Sequence, residues 1–192
     1  MELIDREGER KYLSIAEREA FRKAAEKTPR DVRTFCLVLY YTGCRLSDAL
    51  ALTPDRIDFE EGTLTFETLK RRKQGIFRSV PVPSSLLEAL DLVHGLREQS
   101  DRERKRRIWN WSRSTAWRRV KEVMDAAGLE GIKATPKGLR HGFGIACNQK
   151  EVQLNMAQKW LGHANIKTTA IYSNAVGKEE RNVAQRLWET TG

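Results

Sequence analysis

Thr135-Pro136-Lys137-Gly138-Leu139-Arg140-His141-Gly142-Phe143 opens a helix. Thr135 is an N-cap residue whose hydroxyl can accept a backbone N–H of the first turn. Pro136 suits the first helical position, where no N–H is needed. Leu139, Phe143 and Ala146 recur at helical spacing, which predicts one buried face. Lys137 and Arg140 are three apart and share another face, beside the helix start. The free N–H groups and the helix dipole add positive charge there, which favours a phosphate. On its own, the same pair reads first as a solvated basic face.

Outward from this stretch the chain is mostly helical in pattern. Ser14 and Glu17 form a capping box for a helix running to about Lys27, before Pro29. Asp31 to Thr42 is apolar on most sides, which predicts a buried helix ended by Gly43. A short helix follows from about Ser47 to Leu52, stopped by Pro54. Leu64 to Leu69 and Ile76 to Val82 read as two strands, joined by the basic loop Lys70-Arg71-Arg72-Lys73-Gln74-Gly75. Ser84 to about Arg97 is a helix, and Asp101 to Arg107 a charged loop. Ser114 is read as the cap of a helix carrying Trp117, Val120 and Met124, ended by Gly128. Helices over Gln153 to Leu161, Lys167 to Ala175 and Lys178 to Thr190 complete the chain. The expected fold is mainly α with a small antiparallel β-sheet, an α+β arrangement in one domain over residues 1–192.

Composition narrows the partners. The 192 residues hold 35 Lys and Arg against 26 Asp and Glu, a formal net charge of +9, and such an excess attracts polyanions, nucleic acid above all. The three cysteines, Cys36, Cys44 and Cys147, are scattered and no pair has metal-ligand spacing; no metal and no cofactor is expected. Free thiols point to a reducing compartment. No run is long enough to span a bilayer, and the charged start Met1-Glu2-Leu3-Ile4-Asp5-Arg6 is unlike a signal peptide. A cytoplasmic, nucleoid-associated protein without a membrane partner is expected.

Three further stretches gain meaning together. Thr42-Gly43-Cys44-Arg45-Leu46-Ser47-Asp48 places Arg45 between a buried helix and the next one. Leu161-Gly162-His163 ends a helix and sets His163 in a turn. Thr169-Ala170-Ile171-Tyr172-Ser173 follows, with Tyr172 nine residues after His163. Singly, these are a surface arginine, a turn histidine and a packing tyrosine. In this order and spacing, Arg45, then Lys137-x-x-Arg140, then Leu-Gly-His163, then Tyr172 resembles the phage integrase or Xer class of tyrosine recombinases. The resemblance spans about Leu13 to Trp188. It implies the catalytic-domain fold of that family, without the helical N-terminal DNA-binding clamp that full-length members usually carry.

The resemblance implies transesterification at a DNA phosphodiester. Arg45 and Arg140 would hold the nonbridging oxygens, which the planar guanidinium suits. His163 would donate to the same phosphate. Tyr172 would attack phosphorus as the nucleophile, leaving a 3′-phosphotyrosine and a free 5′-hydroxyl. A lysine of the β-hairpin would protonate the leaving oxygen; Lys70 is the first choice and Lys73 the second. The family's second box usually begins with histidine, and this chain has Lys137 there, which can still donate to phosphate. Asp48 is expected to buttress the arginines or Lys137, and His141 is read as structural. Arg71, Arg72, Lys73 and Arg78 on the hairpin, with Arg102 to Arg107, would neutralise DNA backbone phosphates.

The function so implied is site-specific recombination of double-stranded DNA, in a homo-oligomer, a tetramer on paired sites, with a monomer in isolation also open. Two other readings remain: relaxation of supercoils in the manner of a type IB topoisomerase, and a non-catalytic DNA-binding relative that regulates a recombinase. The end helix is expected to dock on a neighbouring protomer or to fold back in cis.

Overall fold

The computed structural model describes residues 2–67, 75–174 and Gln185. Helix α1 (Ile15–Glu26) starts as its sequence directs: the Ser14 hydroxyl accepts from Glu17 N at 3.2 Å, and the Glu17 carboxylate accepts from Ser14 N at 2.7 Å. Helix α2 (Arg30–Thr42) buries Val32, Phe35, Cys36, Val38 and Leu39, which explains its nearly continuous apolar run. Short α3 (Leu46–Leu50) has Arg45 as its N-cap residue.

The sheet has three antiparallel strands in the order β1 (Ile57–Asp58), β2 (Thr63–Glu67), β3 (Phe77–Pro81). The two-residue β1 is too short to show alternation and was not expected from the sequence. In β2, Leu64 and Phe66 face the core, opposite Val80 and Arg78 of β3. The basic loop joining these strands, with Lys70, Arg71, Arg72 and Lys73, lies outside the described residues, as does the helix expected over Lys178 to Thr190.

Helix α4 (Ser84–His94) is shorter than expected because Gly95 takes a left-handed φ of 59°. Helix α5 (Arg113–Ala126) is capped by Ser112 rather than Ser114: the Ser112 hydroxyl accepts from Thr115 N at 3.1 Å. The charged loop before it contains a single 3-10 turn, Glu103–Lys105. Trp109 anchors this loop, buried with its indole N–H donating to Asp31 O at 3.0 Å. Helix α6 (Pro136–Gln149) begins at the expected cap, Thr135 accepting from Gly138 N. It runs through the middle of the molecule against α1, α2, α5 and α7 (Leu154–Leu161). The buried Arg18 of α1 ties three helices, donating to Leu139 O at 2.9 Å and Tyr40 O at 2.8 Å.

The main core is formed by α1 to α6 and the sheet. A second apolar cluster, Leu3, Tyr12, Phe143, Ile145, Cys147, Ala157, Leu161 and Tyr172, lies around the later part of α6. Helix α8 (Lys167–Ala170) is brief, and Tyr172 stands on the 3-10 turn Ile171–Asn174 that follows, not on a continuing α-helix. Among the described residues no helix is long and apolar enough to cross a membrane. The mainly helical architecture with one small antiparallel sheet is the one expected.

Candidate active site

Arg45, Arg140, His163 and Tyr172 come from four separate segments. Arg140 links two of them to its own. One terminal nitrogen donates to Gly43 O and the other to Leu161 O, each at 2.7 Å. A guanidinium has five N–H groups, so these two bonds leave the remaining donors free to meet an anion. Burial pushes its pKa down to about 10, and Arg45 and Arg78 add to the shift; it remains a cation at neutral pH.

Arg45 and Asp48 face each other across the first turn of α3, Nη1 to Oδ2 at 3.7 Å. Among the described residues that Nη1 is buried without a hydrogen bond. Asp48 instead accepts from Arg78 Nη2 at 2.6 Å, both side chains almost fully buried. Two guanidiniums, Arg45 and Arg78, thus share this carboxylate, and the charge of Arg140 lies near them. The unbalanced positive charge and the orphaned Arg45 nitrogen suit an anion with several acceptor oxygens.

Arg78 departs from expectation. It is 5% exposed, pairs with Asp48 and donates from Nε to Trp160 O at 2.9 Å. It sits two residues before the inward Val80 on β3, so the strand's period of two turns it inward as well. Its role is to join the sheet to α3 and to the end of α7, not to meet DNA at the surface. Gly162 is the counterpart: it is left-handed at φ 65°, and a Cβ there would stand 2.9 Å from Arg78 Cδ. Asp48 buttresses Arg45 and Arg78, and Lys137 is exposed at the start of α6, with no hydrogen bond or ion pair among the described residues.

His163 is buried, its Nδ1 2.9 Å from Thr169 Oγ1. Burial first, then Arg140 and Arg45, pull its pKa down to about 3, so it is a neutral hydrogen-bonding group. Its ring stacks on Tyr172, with centroids 6.2 Å apart and planes 23° apart. Tyr172 is 2% exposed, and its hydroxyl lies 3.1 Å from Nδ1 of His141. Burial lifts the phenol to about 12 against the opposing pull of Arg140. The ring rests on the bare backbone of Gly144, where a Cβ would meet Cζ at 2.5 Å.

His141 and Thr169 are site residues that sequence reasoning missed. His141 follows Arg140, and nothing in one sequence says which way its side chain turns. Helical geometry offers a partial signal, since positions 141 and 144 share a face and Gly144 leaves room for a ring. Among the described residues, no group of three His, Cys, Asp or Glu could hold a metal ion.

Residues 11–179 match the family model described as the phage integrase family. The chain is 33% identical over 183 residues to the tyrosine recombinase XerA of Pyrococcus furiosus, covering 90% of this chain and 61% of that protein. It therefore spans about three fifths of this curated relative's length. A crystal structure of XerA recombinase superposes with a TM-score of 0.77 at 25% identity, over 91% of this chain and 64% of that one. A XerH site-specific recombinase bound to palindromic difH substrate, in a post-cleavage complex, gives 0.74 at 24% identity, over 93% and 53%.

Proposed function

This chain belongs to the phage integrase family, and from that premise we propose that it cuts and rejoins double-stranded DNA through a covalent bond to Tyr172. The observation that carries the reading is the convergence of Arg45, Arg140 and His163 on Tyr172, in a buried site with surplus positive charge. A phosphodiester resists nucleophiles because it is anionic, and its transition state gathers charge on the nonbridging oxygens. Fixed donors aimed at those oxygens supply the largest rate term in such a site.

Arg45 contributes its Nη1, which has no hydrogen bond among the described residues, and Arg140 the donors left after its two carbonyl bonds. His163, neutral and held by Thr169, orients the phenol ring and donates to the phosphate. The Tyr172 oxygen gives up its phenolic proton to solvent and bonds to phosphorus as the bond to the 5′-oxygen breaks. Lys70, with Lys73 as the alternative, supplies the proton to that leaving oxygen. Reversal by a 5′-hydroxyl of another strand reseals the backbone, since the phosphotyrosyl ester keeps the energy of the broken linkage. Lys137 adds charge for DNA at the start of α6. Arg71, Arg72 and Lys73 bind backbone phosphates. Assembly as a tetramer on paired sites, inside the cell, completes the reading; its DNA-binding part is supported by the XerH recombinase, which is bound to its DNA substrate.

The test uses nicked duplexes that trap the cleaved state, drawn from a pool of random sites, with the wild type and Tyr172→Phe. A protease-sensitive, denaturation-resistant adduct that needs Tyr172 is expected. DNA binding without any adduct favours the non-catalytic reading. Exchange of strands between two sites separates recombination from simple relaxation of supercoils.

A further inference from the structure

We propose that His141 is a positioning residue for Tyr172: its Nδ1 accepts the phenolic hydrogen bond and fixes where the nucleophilic oxygen stands. The inference deepens the reading above and rests on it. The hydroxyl of Tyr172 is 3.1 Å from His141 Nδ1. Among the described residues, the other candidate bases of the site make no hydrogen bond to that hydroxyl. His163 directs its Nδ1 to Thr169 and meets Tyr172 through its ring face, and Lys137 is exposed.

Packing alone does not hold the phenol. One face of the ring lies against Gly144 and another contact is the stacked His163 ring. Tyr172 also walls a cavity of about 170 Å³ lined by Asn148, Val152, Leu154, Ala157 and Thr169. A ring with open space beside it can swing about its torsions unless a polar contact stops it. The hydrogen bond to His141 is that stop.

The chemistry of the imidazole agrees. Lys137, Arg140 and Lys11 surround His141 and, together with burial, keep it neutral. Tyr172 keeps its proton. The phenol is therefore the donor, Nδ1 the acceptor, and the ring hydrogen sits on Nε2. Among the described residues that Nε2 is buried with no hydrogen-bond partner. An unsatisfied buried donor is unfavourable, and an apolar ring would fill the same space without it. A histidine here makes sense when its other nitrogen does something a phenyl group cannot.

Three variants test this. Asparagine can place an acceptor near the Nδ1 position, glutamine reaches the Nε2 position instead, and alanine removes both. Single-turnover adduct formation on the nicked duplex is measured beside DNA affinity by fluorescence anisotropy, with thermal melts to establish folding. His141→Asn is expected to cleave within about threefold of wild type, and His141→Gln at least about tenfold more slowly, each with unchanged Kd. His141→Ala should match the glutamine variant if it folds. A second readout needs no cleavage: in ¹⁵N spectra of the imidazoles, Tyr172→Phe should shift Nδ1 of His141. Equal cleavage by the asparagine and glutamine variants, faster cleavage by either than by wild type, or an unmoved Nδ1 resonance overturns the proposal. A wild type that forms no adduct, while the resonance does move, overturns the recombinase reading and the positioning role with it, and leaves only the contact.

Discussion

Gly144→Ala puts the smallest possible probe under Tyr172, the proposed nucleophile. The new methyl carbon would stand 2.5 Å from Tyr172 Cζ and closer still to Cε2 and Cδ2. Ordinary carbon contacts begin near 3.5 Å, so the ring has to retreat by about 1 Å. The hydroxyl rides on Cζ and moves with it, lengthening the contact to His141 and shifting the line of attack. A misplacement of about 1 Å in a reacting atom costs on the order of 100-fold in rate. Stability pulls two ways. Alanine in the interior of α6 gains about 1 kcal/mol in helix propensity, and overpacking loses about 1–3 kcal/mol. A net loss of about 0–2 kcal/mol is expected, small enough to leave the domain folded. Urea unfolding measures the stability term, and single-turnover adduct formation on the nicked duplex measures the rate. DNA affinity should hold, since the residue is buried under the ring and brings no charge or hydrogen-bonding side chain to the surface. Cleavage within about threefold of wild type would refute the claim that the Gly144 backbone seats the reactive ring.

Other outcomes follow from the same geometry. Asp48→Ala leaves Arg78 buried without its carboxylate, so a loss of about 3–5 kcal/mol is expected in urea unfolding; an unchanged midpoint would mean the pair is dispensable. Arg78→Met should leave the slope of log affinity against log salt unchanged, whereas Arg71→Ala should reduce its magnitude by about 1; equal effects would return Arg78 to the DNA surface. Arg140→Lys should fold less stably and cleave at least about 100-fold more slowly, because an ammonium cannot bridge Gly43 O and Leu161 O while presenting donors to a phosphate; wild-type cleavage would exclude the clamp. Stability should also fall in mild acid. Unfolded His141 takes up a proton near 6.5, and the folded side chain resists until about 4. Its contribution, roughly 3 kcal/mol at most, is complete above pH 6.5 and is lost as pH drops toward 4, with His163 acting in the same direction. A flat stability profile between pH 7 and pH 4.5, within about 1 kcal/mol, would contradict burial of neutral imidazoles.

What the sequence disclosed, and what it withheld, divides along a physical line. Caps are local chemistry, so the starts of α1 and α6 were legible from Ser14-Glu17 and Thr135-Pro136. The apolar run of α2 announced a buried helix. The start of α5 was misplaced by two residues because Ser112 and Ser114 offer the same hydroxyl, and only the fold chooses which one meets Thr115 N. Strand β1, two residues long, owes its existence to its pairing with β2 and has no local pattern. The order of Arg45, Arg140, His163 and Tyr172 pointed to the chemistry. Their mutual arrangement did not follow from it, because the bonds that set it are long-range. Arg140 to Gly43 O spans 97 positions and Arg78 to Asp48 spans 30.

Arg78 shows why charge alone misleads in a basic protein. On the hairpin it looked like one more DNA contact beside Arg71 and Arg72. Yet a cation next to inward-facing Val80 must either break the strand's alternation or find an anion inside. Asp48 is that anion, and the pairing gives the site its electrostatic character. The carboxylate that holds Arg78 is also the partner of Arg45, so it is too divided to neutralise either fully. Burial first, then the like charges of Arg45 and Arg78, lower the pKa of Arg140 to about 10, and it keeps its proton at neutral pH. The proposed site is therefore a buried hollow whose positive charge exceeds what Asp48 neutralises, and an anion with several acceptor oxygens is the group that would complete it.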